Sequence, residues 1–152
     1  MQKPLILQGK RAYSDFRIAN LLEKIRKIDT SVSDISADFI YVLNTEKTLS
    51  QDLLGRSEEL LSSNGEFKSK PGFFVTPRKG TISPWSTKAT DIFHNSGLTE
   101  VKRVERGIHF QLLDKDEKII PNKVATPIFH FFYDRMTEGV YENIDDIFYQ
   151  VE

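Results

Sequence analysis

A chain of 152 residues with 39% hydrophobic and 28% charged side chains has the composition of one compact domain, which excludes a disordered, solvating polymer. With 21 basic against 22 acidic residues there is no overall field to draw in nucleic acid, and the lack of cysteine excludes disulfides, thiolate metal sites and a cysteine nucleophile. No apolar run approaches the length that spans a bilayer, so no membrane contact and a cytoplasmic setting are expected.

Residues 5–7 read as a short strand. Ser14 or Asp15 then caps a helix in which Phe16, Ile18, Ala19, Leu21, Leu22, Ile25 and Ile28 recur at helical spacing. From 32 to 43 the period changes, and Ile35, Ala37, Phe39, Tyr41 and Leu43 alternate as in a strand. A polar turn at 44–48 leads to a second helix marked by Leu49, Leu53, Leu54, Leu60 and Leu61 and weakened at Gly55, ending in the breaker Ser62-Ser63-Asn64-Gly65. A strand at 72–76 follows. Ser83-Pro84 starts a helix carrying Ala89, Ile92 and Phe93, which Gly97 ends. Residues 101–113 form a second long strand, and 125–140 a last helix with Ile128, Phe129, Phe132, Met136 and Val140. Strand, helix, long strand, helix thus occurs twice, over about 1–63 and 71–151. The expected class is α+β: one internally duplicated domain whose two units carry antiparallel sheets with helices packed on them, related by a pseudo-two-fold, with the sheets either joined or packed face to face.

The most unusual stretch is 75–97, VTPRKGTISPWSTKATDIFHNSG. Pro77 restricts its own φ, Gly80 frees a turn and Ser83-Pro84 caps a helix, so Arg78, Lys79 and Thr81 sit on a short loop at a helix N-terminus, where donors can converge on an anion. The plainer alternative is that Ser83 only caps, Pro84 only starts the helix, and Arg78 and Lys79 are solvated. The glycine spacing matches neither a P-loop nor a dinucleotide fingerprint. Arg103 and Arg106, with Lys102, can extend a basic patch toward Arg78 and Lys79, or form a solvated strand face paired with Glu100 and Glu105. Trp85 is either part of the domain's own core or an anchor for a partner, and Lys88 follows it on the same helix. His94, His109 and His130 are too scattered for a metal site, and only His130 with Asp134 has an i, i+4 relation on the expected helix. Ser83 and Ser86 sit in no G-x-S-x-G elbow, so no catalytic residue is assigned. Phe129, Phe131, Phe132 and Tyr133 exceed what one helix face buries, pointing to a second partner or a helix buried on two sides.

This segment, with VKRVERGIHF at 101–110, resembles the N-terminal domain of the large single-chain phosphoribosylformylglycinamidine synthases. Their pattern reads close to VTPRPGTISPWSSKATDI, then HNCGL and V-x-R-x-ERG. The likeness extends from Leu7-Gln8-Gly9 through Phe16-Arg17 to the DRMTE at 134–138. Lys79 replaces the family's proline, Thr87 its serine, Phe93 its alanine, Ser96 its cysteine and Tyr133 its histidine. The resemblance implies a ligase that makes formylglycinamidine ribonucleotide from formylglycinamide ribonucleotide, ATP and glutamine in purine biosynthesis, with ATP and magnesium used by the parent. It further implies that this chain is a noncatalytic piece of that parent, similar to a fused pair of the small subunit of the multi-subunit enzyme, whose partners are glutaminase and synthase domains. No segment resembles those catalytic domains, so the chain alone is expected to be inactive and to hold no cofactor. Arg78, Lys79, Thr81, Ser83, Trp85, Lys88, Arg103 and Arg106 are the interface or anion-site candidates. The alternative from another class is a free-standing regulatory domain that binds a phosphate-bearing metabolite.

Overall fold

The computed structural model describes residues 4–68, 70–78 and 81–143. In chain order these form β1 (Leu5–Arg11), α1 (Asp15–Ile25), β2 (Asp34–Thr45), α2 (Gln51–Leu61), β3 (Phe73–Pro77), α3 (Pro84–Asn95), β4 (Val101–Leu113), α4 (Asn122–Ala125), a 3-10 helix at Thr126–Phe131, and β5 (Glu138–Tyr141). All pairings are antiparallel, in a single five-stranded sheet of order β1-β2-β4-β3-β5. Of the two sheet arrangements open from the sequence, the joined one is found, because the two long strands pair with each other from Asp34 opposite Leu113 to Leu43 opposite Val104.

Register decides what the helices cover. Ile35 opposite Leu112, Ala37 opposite Phe110 and Leu43 opposite Val104 present side chains to one face. There, one core cluster gathers Ile18 and Ile25 of α1 with Ile35, Phe73, Phe110, Ile128 and Phe132. A second gathers Leu7, Leu43, Phe93, Leu98 and Val104. Phe73, Phe110 and Ile128 are each exposed by 1% or less, and burying such a side chain contributes about 1.5–3 kcal/mol. Phe39 opposite Ile108 and Tyr41 opposite Arg106 lie on the same face, between the clusters.

The other face is apolar too, which simple alternation along β2 does not anticipate: Ile6, Ile40, Val42, Phe67 and Phe74 form a third cluster. The segment after α2 supplies Phe67 and also covers the free edge of β1, with Gln8 N–H donating to the Gly65 carbonyl and Phe67 N–H to that of Ile6. His109 is buried here between the Phe67 and Phe74 rings, 5.2 and 4.8 Å between centroids, and its Nε2 donates to the Pro71 carbonyl at 3.1 Å. Burial pulls its pKa below the usual histidine value. Gly72 is irreplaceable at this crossing: φ is +130° and a Cβ would lie 2.2 Å from the Phe110 carbonyl oxygen.

The helix expected over 125–140 does not form. α4 stops at Ala125, the chain tightens to a 3-10 helix containing Pro127, and β5 then pairs with β3, Val140 opposite Val75. Three-residue periodicity sets Phe129 and Phe132 on one side, both against Phe73 at 4.4 and 5.3 Å, so part of the aromatic run is absorbed by the domain's own core. Asp134 makes the turn, its carboxylate accepting Met136 N–H and its carbonyl accepting Thr137 and Glu138 N–H. His130 and Asp134 therefore share no helix. Phe16, Ile28 and Met136 are exposed rather than buried: α1 points Ile18 and Ile25 inward, Ile28 lies past its end, and Met136 sits on the Asp134 turn. Helix α2 runs unbroken through Gly55, where nothing lies within 4 Å of a notional Cβ. The far end of the second expected unit, from 144 to 151, lies outside the described residues.

Candidate functional site

Strand β3 is short. Only Phe73, Phe74 and Val75 pair with β4, opposite Phe110, His109 and Ile108. Toward Val101 no strand of the described residues lies beside that edge of β4, and its buried N–H and C=O groups need other partners. α3 supplies them. Ser86 Oγ donates to the Val104 carbonyl at 2.6 Å, and Thr90 Oγ1 accepts the Val104 N–H at 3.1 Å. Ser83 caps α3, accepting Ser86 N–H at 3.0 Å, and donates its own hydroxyl to the Glu105 carboxylate at 2.8 Å.

The charges beside this helix start are largely spent inward. Arg103 and Glu105 are buried, at 8% and 1% exposure, and pair at 2.9 Å. Arg103 also donates to the Thr81 carbonyl at 2.9 Å and to Ser86 Oγ at 3.3 Å. Thr81 Oγ1 donates to the Arg78 carbonyl at 2.6 Å, and Arg78 N–H to that of Thr137 at 3.0 Å, tying the loop to the turn before β5. Glu105 accepts from Ser83, Arg103 and Arg106 N–H together, a donor set that satisfies an ionised carboxylate.

Trp85 is half-buried and stacks on Tyr41, 6.0 Å between centroids at 22°. The Arg106 guanidinium lies over both Phe39 and Trp85, 4.6 and 4.9 Å from the ring centroids. The Arg78 and Lys88 side chains are exposed; Lys88 borders a groove between α2 and α3 with Leu60, Leu61 and Ile92. Lys79 lies outside the described residues. Lys102 pairs with Glu46 at 3.4 Å instead of with Glu100 or Glu105. The structure thus brings Ser83, Thr81, Arg103, Trp85 and Arg106 to the α3–β4 junction and leaves Arg78 and Lys88 pointing out.

Glu105, Ser86 and Thr90 complete this junction: the sequence offers Glu105 only as a partner on a solvated strand face and Ser86 only as a serine outside any hydrolase motif, and it does not single out Thr90. A signal existed: Ser83, Ser86 and Thr90 fall at i, i+3 and i+7, a hydroxyl stripe on one helix face. The histidines stay apart. His94 Nε2 bonds the Val101 carbonyl at 2.8 Å, His109 is on the far side of the sheet and His130 is exposed. Among the described residues no three His, Asp or Glu gather as a metal site, and no helix is long and apolar enough to cross a membrane.

Residues 38–148 match the family model described as formylglycinamide ribonucleotide amidotransferase N-terminal. The chain belongs to that family. The match runs from β2 through β5 and includes the whole α3–β4 junction. The family's enzyme, formylglycinamide ribonucleotide amidotransferase, is a multi-domain ligase of purine biosynthesis, and the chain is thereby tied to that pathway.

Proposed function

We propose that this domain is a noncatalytic bridge in the amidotransferase, holding glutaminase and synthase domains in register while formylglycinamide ribonucleotide is converted to formylglycinamidine ribonucleotide with glutamine and ATP. The observation that carries the reading is the α3–β4 junction. Ser83, Ser86, Arg103 and Glu105 of the family's signature are occupied by one another and by the backbone of β4, as in a fixed platform, and not aimed at a reacting molecule. A platform aids a reaction by positioning other groups. ATP and magnesium would be held by other domains of the parent, which would work in the cytoplasm.

The sheet order supports a duplicated origin for the platform. The long strands β2 and β4 are central, and the strand preceding each, β1 or β3, lies outside it, so exchanging the halves leaves that four-strand order unchanged. Helix α1 and helix α3, the first of each half, both start at a serine cap. This is the arrangement expected of a fused pair of small-subunit-like units.

The test uses the full-length enzyme with Arg78→Ala or Lys88→Ala. Glutamine-driven synthesis should fall more than synthesis driven by added ammonia, because only the former needs the two active sites kept in register. Equal loss of both activities would place these residues at the synthase site. Binding of a phosphate-bearing metabolite to the isolated chain would favour a regulatory domain instead. The isolated chain should release no glutamate from glutamine.

A further inference from the structure

Between the two core clusters lies a cleft of about 220 Å³ lined by Phe39, Val75, Trp85, Arg106, Ile108 and Glu138. Two arginines of β4, three positions apart, are used in opposite ways around it. Arg103 spends its guanidinium on Glu105, Thr81 and Ser86. Among the described residues the Arg106 guanidinium has ring contacts only; the hydrogen bond of this residue to Glu105 comes from its backbone N–H. A half-buried fork of donors, flattened between two aromatic rings and left without an acceptor, is a receptor for a planar oxyanion.

We propose that this cleft receives the carboxylate of one acidic side chain from a partner segment of the amidotransferase, gripped by Arg106 between Phe39 and Trp85. Size and charge choose that occupant. Small-molecule sites run to about 300–1,000 Å³, so this cleft suits one inserted side chain better than a nucleotide. Among the described residues Arg106 is the one unpaired cation in the walls, which also carry the carboxylates of Glu138 and of Glu105, the latter already paired with Arg103; this suits a monoanion, whereas a phosphate dianion would meet repulsion without further positive charge. The apolar walls of Val75, Ile108 and the two rings accommodate the methylene stem of such a side chain. Stacking already restricts the guanidinium, so less freedom is lost on docking, and Arg and Trp are the residue types that anchor interfaces. The inference rests on the bridging reading for the identity of the partner.

The test places a photocrosslinker in the cleft of the full-length enzyme, as Phe39→p-benzoylphenylalanine, and sequences the captured peptide. The expected capture is a peptide from outside this domain containing Asp or Glu. Arg106→Leu should lower its yield roughly tenfold, the scale of one lost anchor, and Arg106→Lys should not restore it, since an ammonium lacks the fork. Changing the captured acid to its amide should lower the yield as Arg106→Leu does, with no further drop when the two are combined. An unchanged melting temperature in Arg106→Lys shows that the fold is intact. Capture confined to this domain, capture of a peptide without an acid, full yield in Arg106→Leu, or loss of capture on adding inorganic phosphate each overturns the proposal. If the crosslink behaves as expected while Arg78→Ala and Lys88→Ala leave the ratio of glutamine- to ammonia-driven synthesis unchanged, the cleft stands and the bridging reading falls.

Discussion

Helices α1 and α3 begin alike and are held in place by different means. Ser14 accepts Arg17 N–H at 3.2 Å, and Ser83 accepts Ser86 N–H at 3.0 Å, each closing the first turn of its helix. There the likeness ends. Ser14 is exposed and the charges near it, Arg11 and Asp15, pair on the surface, so α1 is fastened by Ile18 and Ile25 pressed into the core. At α3 the cap reaches Glu105, the next turn reaches the Val104 carbonyl, and the turn after that takes the Val104 N–H. The strand beside each helix accounts for the difference. β2 has β1 beside it from Asp38 to Leu43 and β4 along its other edge, whereas β3 flanks β4 only from Ile108 to Phe110, and the edge before Ile108 must be satisfied by a helix. The distinctive sequence around Ser83 records a missing length of strand.

The largest effect that would sharpen this contrast comes from the buried ion pair. Glu105→Ala leaves Arg103 buried without its carboxylate and removes the acceptor of Ser83, and should cost about 3–5 kcal/mol in urea unfolding. Its counterpart at α1, Asp15→Ala, removes an exposed pair and should cost no more than about 0.5 kcal/mol. Comparable losses at the two sites would break the comparison. The caps themselves come next. Ser14→Ala should cost about 0.5–1 kcal/mol as a simple cap, and Ser83→Ala about 2 kcal/mol because a buried carboxylate also loses a donor. Equal costs would mean that the Ser83–Glu105 bond contributes nothing.

Much of the fold was legible in the sequence, since the two long strands, the three longer helices and the caps of α1 and α3 follow from local period and capping chemistry. What failed was set by distant partners. The pattern Ile128, Phe129, Phe132, Met136, Val140 fits one helix face as well as it fits a 3-10 turn followed by a strand, and only pairing with β3 decides for the latter. Phe16 matches the helical period of α1 yet is exposed, since the sheet meets that helix along Ile18 and Ile25. In the site, Arg103 and Arg106 look interchangeable on paper. Strand alternation sends them in different directions, one into a carboxylate network and one against aromatic rings, and apart from the nearby Glu105 the groups that receive them come from residues more than 15 positions away.

The smallest expected effect divides the α3 segment itself. Arg78 and Lys88 belong to the same motif as Ser83 and Ser86, but their side chains are exposed, and the Arg78 backbone N–H, which does bond Thr137, survives any side-chain change. Arg78→Ala and Lys88→Ala should therefore leave the melting temperature of the isolated chain nearly unchanged, within about 0.5 kcal/mol of stability. Ser86→Ala, which strips the Val104 carbonyl and Arg103 of a shared partner, should be visibly worse in the same assay. A loss above about 1 kcal/mol for either exposed cation would mean that the outward half of the motif also holds the fold together. That outcome would remove the reason for looking outside the domain for what those two side chains touch.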